Sequence, residues 1–212
     1  MTDFIREVDE EYRRSQAEQV WKKYAPIIIA LCVLLVLGVA GWRYFDWQKQ
    51  QAAAEAGKRF DAALQQLSSP TPAEGEAAMA KIASESGGIY PRLAQLRVAG
   101  ELAKRDPAAA LQSLDKLAAD TTLDENFREL ARLRAATISV DREPLAELEK
   151  RLAPLTSAAN PWRFHALELQ AAAAMKADAK DKARQYLDQI IIDRAAPPGV
   201  KARAELLIGL TR

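Results

Sequence analysis

Only one cysteine and one histidine occur among the 212 residues, and that scarcity removes several kinds of chemistry at once. A single thiol cannot close an intramolecular disulfide, and one thiol with one imidazole cannot assemble the four ligands of a structural zinc site. Cys32 lies in the most hydrophobic stretch, where it serves as a small apolar residue and reports nothing about the redox compartment. Phosphate cradles and nucleophile elbows are missing as well, since the chain has no G-x-G-x-x-G, Walker A, G-x-S-x-G or H-E-x-x-H pattern. His165 stands beside Trp162 and Phe164 in a segment of helical pattern, where a lone imidazole reads as packing. No catalytic, cofactor-binding or metal-ligating residue is therefore assigned, and neither a cofactor nor an enzymatic activity is expected. A surplus of one charge is also lacking. Thirty Lys and Arg against 29 Asp and Glu leave a formal net charge of +1, without the concentrated bases that a nucleic-acid partner would require. β-Branched runs are scarce outside residues 27–39, and Ala and Leu dominate the apolar content, so an all-α chain without strands is expected.

What the chain does hold is one long uncharged run. From Tyr24 to Trp42 there are nineteen consecutive residues without a charge, and a helix of that length covers about 28 Å of a hydrocarbon core roughly 30 Å thick. Trp21 and Tyr24 mark one edge, and Trp42, Tyr44, Phe45 and Trp47 the other, as in an interfacial aromatic belt; Lys22, Lys23 and Arg43 close the segment. A buried core helix could be this apolar but would not normally carry belts and bases at both ends. Arg13, Arg14, Lys22 and Lys23 before the span outweigh Arg43 and Lys49 after it, which places the N-terminus inside and translocates the rest. A cleaved signal peptide remains the competing reading, with Gly38 and Ala40 as small residues before a cleavage point. The mixed charge of the preceding residues, among them Asp3, Glu7, Asp9, Glu10, Glu11 and Glu18, favours retention, as do the aromatics that follow directly.

Beyond the span, residues 48–67 continue in a helical pattern with Phe60, Ala63, Leu64 and Leu67 as the apolar stripe. Ser68-Ser-Pro-Thr-Pro breaks it, and Thr71, Pro72 and Glu74 have the form of a capping box opening a second helix to about Ser84, which Gly87-Gly88 ends. Further helices are expected near 91–104, 107–119, 124–139, 144–157, 161–176, 179–193 and 198–210, with Pro91, Pro107, Pro144 and Pro161 as first-turn punctuation. Trp162, near a helix start, reads as a core or staple residue rather than a ligand anchor. Glu147, Glu149, Lys150 and Arg151 read as solvated pairs within one helix.

Self-similarity is the more informative signal. Leu93-Ala-Gln-Leu-Arg-Val-Ala, Leu130-Ala-Arg-Leu-Arg-Ala-Ala and Ala166-Leu-Glu-Leu-Gln-Ala-Ala succeed one another at 37 and 36 residues. Ala108-Ala-Ala-Leu-Gln-Ser-Leu and Asp181-Lys-Ala-Arg-Gln-Tyr-Leu lie 73 residues apart, or two periods. A period in the mid-thirties with two helices per unit is that of tetratricopeptide-type solenoids. Ala99, Ala136, Ala172, Ala110 and Ala183 would let neighbouring helices approach, while Leu96, Leu133, Leu169, Leu114 and Leu187 supply the knobs. An irregular helical bundle is the alternative.

Asn160-Pro-Trp-Arg-Phe-His-Ala-Leu-Glu-Leu, Lys180-Asp-Lys-Ala-Arg-Gln-Tyr-Leu and Ala196-Pro-Pro-Gly-Val-Lys-Ala-Arg-Ala-Glu-Leu-Leu resemble the ancillary SecYEG translocon subunit family, as does the opening Phe4-Ile-Arg-Glu-Val-Asp-Glu-Glu-Tyr-Arg-Arg-Ser followed by one span. The resemblance implies a bacterial inner-membrane protein with its repeat domain in the periplasm, associated with the translocon and with periplasmic chaperones. The expected fold is an N-terminal transmembrane helix followed by a tetratricopeptide-like α-solenoid of antiparallel helix pairs. Its expected parts are a cytoplasmic tail (1–23), the transmembrane helix (24–45), a linking helical hairpin (46–88) and the repeat domain (89–212). A groove that binds partner or client proteins is the leading function, and a structural or regulatory scaffold of a cell-envelope assembly, in division or outer-membrane biogenesis, is the other.

Overall fold

In the computed structural model the backbone is described for residues 2–211 and the side chains for Trp21 and residues 29–211. The side chains of Arg13, Arg14, Lys22, Lys23 and Tyr24, on which the orientation and one edge of the span were read, lie outside the described residues. Two compact units are present, Met1–Arg59 and Phe60–Arg212.

The first unit is built from helix α1 (Thr2–Leu67), whose final turns belong to the second. Its apolar stretch, counted from Ile29, is long and hydrophobic enough to cross a membrane, and none of that window is buried within the chain. Leu31, Leu34 and Leu37 are each more than 60% exposed (65%, 68% and 63%). The core-helix alternative thus fails, because side chains of this kind in a globular core would be covered by neighbours. The aromatics at the far edge, Trp42, Tyr44, Phe45 and Trp47, are exposed too, and the Tyr44 ring lies 6.1 Å from that of Phe45.

The second unit contains the end of α1 and eight further helices: α2 (Pro72–Ala83), α3 (Ile89–Leu102), α4 (Pro107–Ala119), α5 (Glu125–Ser139), α6 (Leu145–Leu152), α7 (Arg163–Lys176), α8 (Lys180–Ile192) and α9 (Pro198–Ile208). Single 3-10 turns follow α6 (Ala153–Leu155) and α9 (Gly209–Thr211), and no strand occurs among the described residues. From α2 onward each helix packs on the next, and α5 also meets α7, and α7 meets α9. That second-neighbour contact is what stacks one helix pair on another.

Alanine makes the stacking close. Ala94, Ala99, Ala110, Ala131, Ala136 and Ala183 are at most 1% exposed, and between them sit the fully covered Leu114 and Leu187. The core runs as a string of clusters. Ala63, Met79, Ile82 and Ala94 form one, Ala99, Leu114 and Ala135 another, and Leu133, Leu148, Leu152 and Leu155 gather with Ala166 and Ala173 in a third. Leu167, Leu187, Ile190 and Val200 close the series. Leu96 and Leu169 are half-buried rather than enclosed. Ala172 is not one of the covered contact residues; Ala171, Ala173 and Ala174 flank it and are, because the covered arc of α7 is centred on those neighbours.

Local chemistry accounts for where helices begin and end. Asp106 caps α4 by accepting from the amide of Ala109 at 3.0 Å, with Pro107 in the first turn, and the expected bounds of that helix hold. The capping box at Thr71 does not form. Its hydroxyl makes no cap bond, and its amide, which Glu74 would have taken, donates instead to Oγ of Ser69 at 3.3 Å. Gly87 and Gly88 (φ 81° and 75°) do not end α2, which stops at Ala83; they reverse the chain and admit α3 two residues earlier than expected. Asn160 forms an Asx turn, its Oδ1 accepting from the amide of Trp162 at 2.8 Å, so Pro161 lies before α7 rather than inside it. The segment expected as one helix over 144–157 stops at Leu152. Pro154 has no N–H to extend the ladder, and the last turn tightens to 3-10.

The hairpin of α1 and α2 depends on Gly75. A methyl group there would fall 2.7 Å from the carbonyl carbon of Gln66 and nearer still to the amide nitrogen of Leu67. Both are backbone atoms and cannot rotate away. An exposed helical glycine gains up to about 1 kcal/mol on replacement by alanine. Gly75→Ala is expected instead to destabilise by roughly 2 kcal/mol, the cost of overpacking, read as a lowered midpoint in urea denaturation.

Candidate interaction groove

Three helices of the second unit leave a groove of about 480 Å³ between them. Phe60 and Leu64 come from the last turns of α1, Leu93 and Leu96 from α3, and Leu130 from α5; Arg97, Gly100, Glu101, Lys104 and Arg134 surround them. The α3 contributors fall at 93, 96, 97, 100, 101 and 104, the spacing of a single helical face. Phe60 fixes the end of α1 against the start of α3 through Tyr90, the ring centroids 5.7 Å apart.

The repeat builds the groove twice. Leu93 with Arg97, and Leu130 with Arg134, are a leucine and an arginine four residues apart at the same point of successive repeats. In α7 the corresponding residues are Ala166 and Gln170, which are buried (0% and 6% exposed), so the signature ends after two helices. Glu101 pairs with Arg97 at 3.1 Å and also with Lys104. Arg134 is exposed and has no ion-pair partner among the described residues. The rim therefore holds three cations around one carboxylate. Gly100 lies on this face, and a methyl group there would meet nothing within 4 Å. Glycine inside a helix costs about 1 kcal/mol relative to alanine, and here no packing within the chain accounts for it.

A second hollow of about 500 Å³, bounded by Asp115, Arg132, Glu143, Glu147, Lys150 and Arg151, is of another kind. The Arg151 guanidinium donates to Asp115 of α4 and to both oxygens of Glu143, at 2.7 and 3.2 Å. These bonds hold Glu143 below the usual carboxylate range and raise Arg151. Glu149 accepts from the Tyr186 hydroxyl at 2.7 Å and from Lys182 at 2.9 Å, both on α8, and its pKa is lowered by that phenolic bond first and the lysine second. Burial, and then Glu149, push Tyr186 up to about 12. Glu168 accepts from Arg203 at 2.8 and 3.0 Å. Several of these bonds join residues about one repeat apart: 36 for Asp115 and Arg151, 37 for Glu149 and Tyr186, 35 for Glu168 and Arg203. They are ties between repeats.

The expectation of solvated pairs within α6 thus holds for Glu147 and Lys150, 2.8 Å apart and both exposed, and fails for Glu149 and Arg151, which reach other helices. The periodic register could have revealed them, because opposite charges recur one period apart. Trp162 packs on the cluster of Leu133, Leu148 and Leu152 as a core residue, its indole N–H buried without an acceptor. His165 is exposed and its ring lies edge-on to Trp162, at 6.1 Å between centroids, so it is no core residue. Cys32 is exposed on α1. No group of three or more potential metal ligands occurs among the described residues.

A family model described as a tetratricopeptide repeat-like domain matches residues 18–196. The ancillary SecYEG translocon subunit of Escherichia coli (strain K12) is 31% identical over 134 residues, which cover 61% of this chain and 64% of that protein. The aligned part thus spans less than two thirds of that relative's length. No solved structure matches the chain.

The ties have a pH signature. Glu149 has a folded pKa below its ordinary 4.5, so its contribution is complete above that value and is lost as pH falls through the lowered one. Glu149→Gln is expected to cost about 1 kcal/mol near neutrality, in the range of partly exposed charged hydrogen bonds. The gap between the variant and the parent should shrink as pH falls below 4.5, as followed by thermal melts in circular dichroism.

Proposed function

We propose, on the premise that the chain belongs to the tetratricopeptide repeat-like domain family, that it is a membrane-anchored module that binds other proteins through the groove between α1, α3 and α5. The observation that carries this reading is the groove itself, an apolar floor under a charged rim in which the Leu93–Arg97 step recurs one repeat later as Leu130–Arg134. Large exposed or half-exposed apolar side chains gathered in a hollow mark a binding surface. The module performs no chemistry of its own and takes neither nucleic acid nor cofactor. Its likeness to an ancillary SecYEG translocon subunit supports a station beside the secretory translocon; periplasmic chaperones are further partners in this proposal.

In this proposal residues 1–23 are a cytoplasmic tail, 24–45 a retained transmembrane helix in a bacterial inner membrane, 46–88 a linking hairpin and 89–212 the repeat domain, held in the periplasm. The tether raises the effective concentration of the groove where clients emerge, so weak individual contacts suffice. A structural scaffold of an envelope assembly is the second reading. It draws on Ile192, Leu206 and Leu210, which are 78%, 75% and 65% exposed at the end of the chain and would suit self-association.

Single cysteines at Ser15 and Ser157 in a Cys32→Ala background test the topology with a membrane-impermeant thiol reagent in intact cells. Labelling of position 157 alone, with an intact N-terminus, is expected; protection of 157 removes the translocon role, and a chain beginning near Gly41 makes it a secreted protein. A photocrosslinker at Leu96 should yield adducts with translocon components or emerging secretory chains, and one at exposed Ala153 should not. If neither position crosslinks while light scattering finds a stable oligomer that Leu206→Asp with Leu210→Asp dissolves, the scaffold reading replaces it.

A further inference from the structure

We infer that the groove selects an extended polypeptide segment whose bulky apolar side chains are flanked by carboxylates, an inference that rests on the groove being the binding face. Phe60, Leu64, Leu93, Leu96 and Leu130 make an apolar floor contributed by three helices. An extended chain repeats its same-side residues about every 7 Å, which suits successive apolar side chains on such a floor. Gly100 keeps the adjoining wall open, since, apart from its own helical turn, no atom lies within 4 Å of the place its side chain would occupy. A partner's main chain can approach the helix there, which answers for a glycine that packing within the chain does not explain.

Charge sets the sign of the selection. Glu101 already has Arg97 and Lys104 as partners, whereas Arg134 has none among the described residues. A carboxylate beside Arg134 gains a bidentate donor without breaking an existing pair, while a lysine there meets three cations around a carboxylate that is already taken. The chain as a whole carries only +1, so an acidic polymer is not drawn in by bulk charge. Selection therefore requires that apolar and acidic groups lie in one segment. The second hollow does not suit such a segment, since Asp115, Glu143 and Glu147 already bring three carboxylates to its lining and no leucine or aromatic side chain floors it.

The test uses the full chain in nanodiscs of zwitterionic lipid and two labelled peptides of about twelve residues, long enough to cross the groove when extended. They share the same Leu and Phe residues and differ only in having Glu or Lys between and beside them. Fluorescence anisotropy is expected to show the Glu peptide binding at least about tenfold more tightly. Gly100→Leu should weaken that binding by about tenfold or more without lowering the melting temperature, and Arg134→Glu should remove or reverse the preference. Equal binding of the two peptides, both lost in Gly100→Leu, overturns the charge selection and leaves the groove reading intact. Binding of the Glu peptide that is indifferent to Gly100→Leu overturns the groove as its site. Failure of both peptides to bind overturns the selection, and the crosslinks from Leu96 then decide separately whether the groove is used at all.

Discussion

A pair of helices thirteen or fourteen residues long, such as α3 and α4, cannot cover its own apolar faces, and every other feature of the second unit depends on that constraint. Each pair is completed by the one stacked upon it, and stacking is close because alanine stands where helices cross. Ala94, Ala110, Ala131, Ala136 and Ala183 are all at most 1% exposed. With the axes brought together, leucines of neighbouring repeats interdigitate, and the repeat-to-repeat displacement is set by packing before any polar group is considered. The charged ties then need no search in space. Asp115 and Arg151, or Glu168 and Arg203, are brought face to face because their helices are already in register.

The same stacking leaves one side of α1, α3 and α5 incompletely filled, and two glycines show the difference between a closed and an open helical contact. Gly75 exists so that α2 can touch the backbone of α1; at Gly100 a methyl group would meet nothing beyond its own helical turn within 4 Å. Both are expensive for a helix. One is explained by the fold, the other by the space in front of it. The ion pairs divide along the same line: Arg151 is saturated by two carboxylates, whereas Arg134 lines the groove rim, exposed and without a partner among the described residues.

Much of this architecture was legible before any coordinates. Helical periodicity, the mid-thirties repeat and the apolar run at the start led to an all-α chain with a membrane-length helix and stacked pairs, and the helix bounds are most accurate where an Asp cap meets a proline, as at Asp106-Pro107. Errors arose where two local signals competed for one group. Thr71 lost its capping box because Ser69 took the amide, and Pro154 shortened a helix whose apolar pattern ran on. The groove was harder to see. Leu93, Leu96 and Leu130 have the same spacing as enclosed leucines such as Leu114, so pattern marks an apolar stripe without saying whether another helix covers it. Glu149 and Arg151 looked like ordinary neighbours within α6, because a contact with α8 or α4 is visible only once the period is laid over the charges.

Ties that link positions one period apart have an evolutionary corollary. A segment of about 36 residues copied in tandem and inserted in frame between repeats would bring its alanine contacts with it, but a tie joins positions about one period apart, so the copied Arg151 would face the parental Arg151 in place of Asp115. Like charges would then stand where a pair stood, and the stack would close only after a compensating substitution. The ties thus fix the order of the repeats and act against lengthening of this chain by exact duplication.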